Sequence, residues 1–142
     1  MNKVEQALKY HKQGYNCSQA VLCSFCEQTG LSEETAFKVA EGLGFGNSDS
    51  LGTCGAVTGM ALVIGMINSN AHLEKPDSKA STYKILRELN KKFREKNGST
   101  ICHALKGLEK VRFLHDSQRH DPPEWFECWE IYVSPAGHSS TT

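Results

Sequence analysis

The stretch Leu51 to Asn68, LGTCGAVTGMALVIGMIN, limits what this chain can fold into more than any other. From Cys54 to Asn68 it carries no charge, so it predicts a buried helix. Glycine inside a helix costs about 1 kcal/mol against alanine. Gly55 and Gly59, four residues apart, therefore predict that another helix or a bound group comes very close to this backbone. Thr53 is the expected N-cap, its hydroxyl accepting from a first-turn N–H. That places Cys54 at the first helical position, where free N–H groups and the helix dipole favour a thiolate. A glycine-rich packing helix with an inert buried thiol is the plainer reading of the same residues.

The run is shorter than the roughly 20 apolar residues of a membrane span, so no membrane insertion is expected. The N-terminal MNKVEQALKYHKQG has no apolar signal-peptide core. The 16 basic and 16 acidic residues balance, which gives no support to nucleic-acid binding. The expectation is a cytoplasmic protein. Six cysteines, at 17, 23, 26, 54, 102 and 128, are then many. Structural disulfides are rare in a reducing cytosol, so metal binding or redox work is the favoured explanation.

The rest of the chain predicts an all-α single domain of about five to seven helices over residues 1–133, with 134–142 a frayed tail. Asn2 to Lys12 is amphipathic, with Val4, Ala7, Leu8 and His11 on one face. Asn16 caps a second helix in a capping box with Gln19; this helix starts at Cys17 and runs to Gly30. Cys23 and Cys26 lie inside it as a C-x-x-C, on the side away from Cys17. With no second pair of that spacing, they read as small buried thiols rather than ligands. Ser32 caps a third helix with Phe37 and Ala40 inward. The glycine-rich Gly42–Thr53 loop lacks the strand and Lys-Ser/Thr of a phosphate loop, so it is read as shaping the space before Cys54.

Pro76-Asp77-Ser78 opens a long helix to Asn97–Gly98, with Tyr83, Leu86, Leu89 and Phe93 as its inner stripe. Its Lys, Arg and Glu residues make a solvated face. Ser99 or Thr100 caps the next helix, so Cys102 falls in its first turn, with Ala104 and Leu105 packing beneath it. A further helical turn is expected over Leu108 to His115. Asp121-Pro122-Pro123 starts a last helix that carries Cys128 between Trp125 and Trp129. His103 would point about 100° away from Cys102 and is a weak ligand candidate. The other histidines lie at a core edge, in loops or in the tail. No Ser/His/Asp order, paired carboxylates or HExxH motif supports a hydrolase.

Cys17 follows Asn16, Cys54 follows Thr53 and Cys102 follows Ser99-Thr100. Three cysteines thus share one local setting, the first turn of a capped helix. If these helix starts converge, they form an electropositive, sulfur-lined pocket suited to thiolates or to a metal–thiolate cluster. Cys128 is the natural fourth member.

The chain resembles the four-cysteine redox-active family called C_GCAxxG_C_C. The resemblance rests on NCSQAV around Cys17, on Cys54-Gly55-Ala56-Val57-Thr58-Gly59, on Gly98-Ser99 … Cys102, and on Cys128. It maps the family's four cysteines onto Cys17, Cys54, Cys102 and Cys128 and leaves Cys23 and Cys26 outside the pattern. It implies redox activity, a genetic link to transporters, and, through a related cytochrome domain, iron–sulfur chemistry.

Three functions follow as expectations. The first is an electron carrier or redox sensor whose four cysteines hold a [2Fe–2S] cluster or similar metal, lined by Gly55 and Gly59. The second is a metal-free thiol–disulfide protein in which Cys54 attacks and another cysteine resolves. The third is structural zinc, which ranks last because zinc favours closely spaced ligand pairs. The electron partner is unspecified, and a homodimer is compatible with the sequence.

Overall fold

The computed structural model describes residues 2–106. The expected helices over 108–115 and from Asp121, together with Cys128 and the 134–142 tail, lie outside them. The architecture is all-α. In chain order come α1 (Lys3–Lys12), α2 (Cys17–Ser24), α3 (Cys26–Thr29), α4 (Glu33–Ala40), a 3-10 turn (Glu41–Leu43), α5 (Gly44–Asn47), α6 (Gly55–Asn68), α7 (Lys79–Asn97) and α8 (Cys102–Lys106). Five of these, α1, α2, α4, α6 and α7, reach eight residues; the others are single turns. Among the described residues no helix is long and apolar enough to cross a membrane.

The helix starts follow local chemistry. Asn2 and Glu5 form a capping box on α1, and Asn16 and Gln19 form one on α2. The Ser32 hydroxyl accepts from the Thr35 amide at the start of α4. Each satisfies amides that a helix N-terminus otherwise leaves unpaired. Gly98, at φ 86°, ends α7 in the left-handed conformation that costs glycine least.

Helix α2 is the centre of the packing. All eight of its residues are buried, and it touches α1, α4, α5 and α6. Its sequence, CSQAVLCS, has no charged residue to keep in water. The core around it includes Leu22, Phe25, Met60, Val63, Leu89, Phe93 and Leu105. Helix α6 lies against it through glycine. A Cβ added at Gly55 would sit 3.1 Å from the Ser18 nitrogen and 3.2 Å from the Cys17 Cβ. At Gly59 it would sit 3.1 Å from the Ser18 oxygen and 3.1 Å from the Val21 Cβ. The expected close approach is thus found, and its partner is the backbone of α2.

Three local expectations need correction. The expected helix from Cys17 to Gly30 breaks at Phe25, whose φ/ψ of −113°/23° is not helical. Just before the break, Ser24 Oγ donates to the Ala20 carbonyl at 2.6 Å, a back-bond that bends helices. On α7 the buried stripe is Ile85, Leu89, Phe93 and Asn97, spaced by four; Leu86 is partly buried and Tyr83 is 55% exposed. The strict four-residue step keeps one face toward α6 and rotates Tyr83 to solvent. Ala104 is exposed while Leu105 is buried beneath α8.

The glycines of α6 give a paired test. A Cβ at Gly65 would meet nothing within 4 Å, so Gly65→Ala gains helix propensity without a clash. Chemical denaturation should show it more stable by roughly 0.5–1 kcal/mol. Gly59→Leu must push α2 away and should lose about 3 kcal/mol by overpacking. Equal effects at the two positions would contradict the close approach at Gly59.

Candidate functional site

A short antiparallel bridge fixes the site. Thr53 pairs with Ile101; the Cys54 N–H donates to the Thr100 carbonyl at 2.7 Å and the Cys102 N–H to the Gly52 carbonyl at 2.9 Å. The His103 N–H donates to the Ser50 carbonyl at 2.9 Å. This clamp holds the starts of α6 and α8 side by side, with Cys54 and Cys102 on adjacent backbone. Cys17, the first residue of α2, reaches the same place because α2 packs on Gly55.

The loop between α4 and α6 fills the remaining space. Phe45, Asn47, Ser48 and Ser50 all have positive φ, as does Gly46 at 57°. Residues with a Cβ pay roughly 1–2 kcal/mol each for such a backbone. The left-handed path carries Gly46 against the Cys102 Cβ and Gly44 against the Asn16 side chain, leaving no room for a Cβ at either glycine. The Asn16 amide also donates to the Glu41 carbonyl at 2.9 Å, tying the loop to the cap of α2. The glycine-rich loop therefore packs between the helix starts that carry the cysteines.

The thiols of Cys17, Cys54 and Cys102 lie close enough to act on one another electrically. Burial raises the Cys17 pKa most, and Cys54 and Cys102 raise it further. Burial pushes the Cys54 thiol up to about 11; the amides of Ala56 and Val57 oppose this, and Cys102 adds to it. All three residues are sealed, at 4%, 1% and 1% exposure.

Two expectations about Cys54 are corrected here. Cys54, not Thr53, is the N-cap residue of α6, with φ/ψ of −50°/134°, because Thr53 is held in the bridge to Ile101. Its side chain makes no capping hydrogen bond, although the Ala56 and Val57 amides lie near enough to favour the thiolate. The expected low pKa is also reversed. Desolvation of a charge outweighs the pull of two amides when the sulfur is almost wholly removed from water.

Cys23 and Cys26 belong to a different neighbourhood. Cys23 is buried and Cys26 half-buried, beside Glu33, Lys3 and Tyr10. His103 is exposed, and His11 faces the Tyr15 carbonyl with its Nδ1 at 3.0 Å. Cys128 lies outside the described residues. None of the five described cysteines is in a disulfide. Among the described residues no group of three or more His, Cys, Asp or Glu is arranged to hold a metal ion. One buried side-chain polar atom among the described residues has no hydrogen-bond partner: Ser18 Oγ, of the residue that follows Cys17 in sequence. Such an orphan costs about 1–3 kcal/mol.

The sequence concealed the clamp. Thr53 and Ile101 sit in two-residue extended segments, too short to show the alternation that marks a strand.

A family model described as "Putative redox-active protein (C_GCAxxG_C_C)" matches residues 15–136. No curated protein and no solved structure matches the chain.

The raised thiols set a pH dependence. In reduced, metal-free protein Cys54 should alkylate more slowly at pH 8 than a free cysteine, with the rate climbing toward pH 11. A folded pKa above the unfolded one means the folded state holds its proton longer. The associated stability is complete below about pH 8.5 and drains away as pH rises through about 11. Thermal melts between pH 8 and 11 should record that decline, and Cys54→Ala should lessen it, leaving the part that the raised Cys17 thiol contributes.

Proposed function

The chain belongs to the C_GCAxxG_C_C family of redox-active proteins, and on that premise we propose that it is an electron carrier or redox sensor. In this reading Cys17, Cys54, Cys102 and Cys128 together hold an iron–sulfur cluster, such as [2Fe–2S], or a similar metal. The observation that carries it is three sealed cysteines that three separate helix starts bring into one neighbourhood. A thiol that exchanges with a bulky disulfide must be reached by it. An electron carrier needs no such opening, since electrons cross a thin protein wall.

The residues fit such a group in kind. The donors are all sulfur, which suits Cys₄ cluster ligation. Three are described and the fourth, Cys128, is the position the family pattern supplies. The chain's own contributions are distinct. The Thr53–Ile101 bridge holds two ligands in register, and Gly46 and Gly55 let backbone close around the sulfurs. The Ala56 and Val57 amides offset negative charge at Cys54. When bound, the cluster would supply a one-electron couple in a site that excludes water. Because Cys17 and Cys54 hold their protons at neutral pH when metal-free, loading must release protons and weaken as pH falls.

A second reading is an internal disulfide between Cys54 and Cys17 or Cys102. The neighbourhood these cysteines share, set by the Thr53–Ile101 bridge and the contact of Gly55 with Cys17, supports it. Here two thiols would give up two electrons and two protons, and one S–S bond would form.

Purification of the full chain without air separates the two. The cluster reading expects iron and acid-labile sulfide in stoichiometric amount, with visible absorbance that Cys54→Ser or Cys102→Ser abolishes. Metal-free protein that forms a Cys54 disulfide in air would instead establish the second reading.

A further inference from the structure

We propose that Cys23 and Cys26 form a second, oxidant-responsive dithiol, closed into a disulfide by a hydroperoxide at the break between α2 and α3. This site is separate from the sulfur trio and does not depend on the function assigned to it.

The geometry makes the pair unusual for two cysteines inside a helical region. Residues three apart on a helix have Cα atoms roughly 5 Å apart, within the range of about 4.4–6.8 Å that a disulfide accepts. In a regular helix their side chains still diverge by roughly 60°, which opposes bonding. Here the helix is not regular. Phe25, between them, leaves helical φ/ψ, so Cys23 lies one residue before the end of α2 and Cys26 begins α3. The break gives the two side chains freedom to turn toward each other. Neither is in a disulfide, and the Cys26 thiol is near enough to act electrically on Cys23.

Exposure assigns the roles. Cys26 is half-buried; burial first and the Glu33 carboxylate second raise its pKa, and the Lys3 ammonium offsets part of that rise. Cys23 is only 3% exposed, its thiol directed at the Glu33 carbonyl at 3.9 Å. Cys26, the more accessible of the two, is therefore the sulfur that a small oxidant reaches, reacting through its thiolate fraction, and Cys23 the thiol that resolves it.

Both steps balance. The Cys26 thiolate attacks the O–O bond of hydrogen peroxide; an S–O bond forms, the O–O bond breaks, and the leaving hydroxide takes a proton to become water. The Cys23 thiol, giving up its proton, then attacks the Cys26 sulfenic sulfur. An S–S bond forms, the S–O bond breaks, and a second water leaves. Two thiols and one peroxide become one disulfide and two waters.

The sequence provides a convenient assay. Chymotrypsin cuts after Leu22 and Phe25, so it separates Cys17, Cys23 and Cys26 into different peptides. Reduced full-length protein is treated with a few equivalents of hydrogen peroxide, its remaining thiols are capped with N-ethylmaleimide, and the digest is weighed without reductant. The Cys23 and Cys26 peptides should appear joined, two hydrogens lighter than their sum, and part on reduction. In Cys23→Ser the sulfenic acid at Cys26 should accumulate and be captured by dimedone. In Cys26→Ser no joined peptide should form and Cys23 should cap quantitatively. Two results overturn the proposal: both cysteines capped after peroxide, or either one joined to Cys17 instead. The same digest reports Cys17, Cys54 and Cys102 separately, so failure here leaves the cluster assignment untouched, and the reverse.

Discussion

The contact between the α2 backbone and the glycine face of α6 is the constraint on which the rest depends. Gly55 and Gly59 bring the two backbones so close that a Cβ would lie 3.1 Å from the Ser18 nitrogen and oxygen respectively. The helix surrenders roughly 1 kcal/mol of propensity per glycine to allow this. The return is a fully buried α2 and a core that closes over Met60, Val63 and Phe25. The same approach sets Cys17 against Gly55, immediately beside Cys54. Packing and site assembly are one event here, not two.

The site's electrostatics follow from that packing. Helix N-termini favour anionic sulfur, but the favour is worth little when the sulfur has lost its water. Buried this completely, Cys17 and Cys54 hold their protons well above neutral pH. A thiol in this state is a poor nucleophile and a latent ligand. Only a partner that pays the charge cost directly, a metal or an electron-withdrawing oxidation, draws the proton off. Cys26 differs from the trio in exposure, being only half-buried.

The loop before α6 shows how such a site is held rigid. Four residues with side chains accept left-handed backbone between Phe45 and Ser50. Strain of that order persists only where the surroundings over-determine the path. Here they do so through the Gly46 contact with Cys102, the Asn16 contact with Gly44, and the hydrogen bonds from Gly52 to Gly46 and from His103 to Ser50.

Local chemistry in the sequence determined the helix starts at Asn2, Asn16 and Ser32, the stop at Gly98, and the need for something to touch Gly55 and Gly59. Each depends on residues within a few positions of one another, so periodicity and capping residues are enough to read them. The first-turn placement of Cys17 and Cys102 was legible for the same reason. Tertiary structure alone decided that Thr53 would pair with Ile101 and pass the cap of α6 to Cys54, since those partners stand 48 positions apart in the chain. It also decided the protonation of the thiols. A helix start can be read from sequence, but the water left around a sulfur depends on every element that folds over it. Here that burial overrode the dipole.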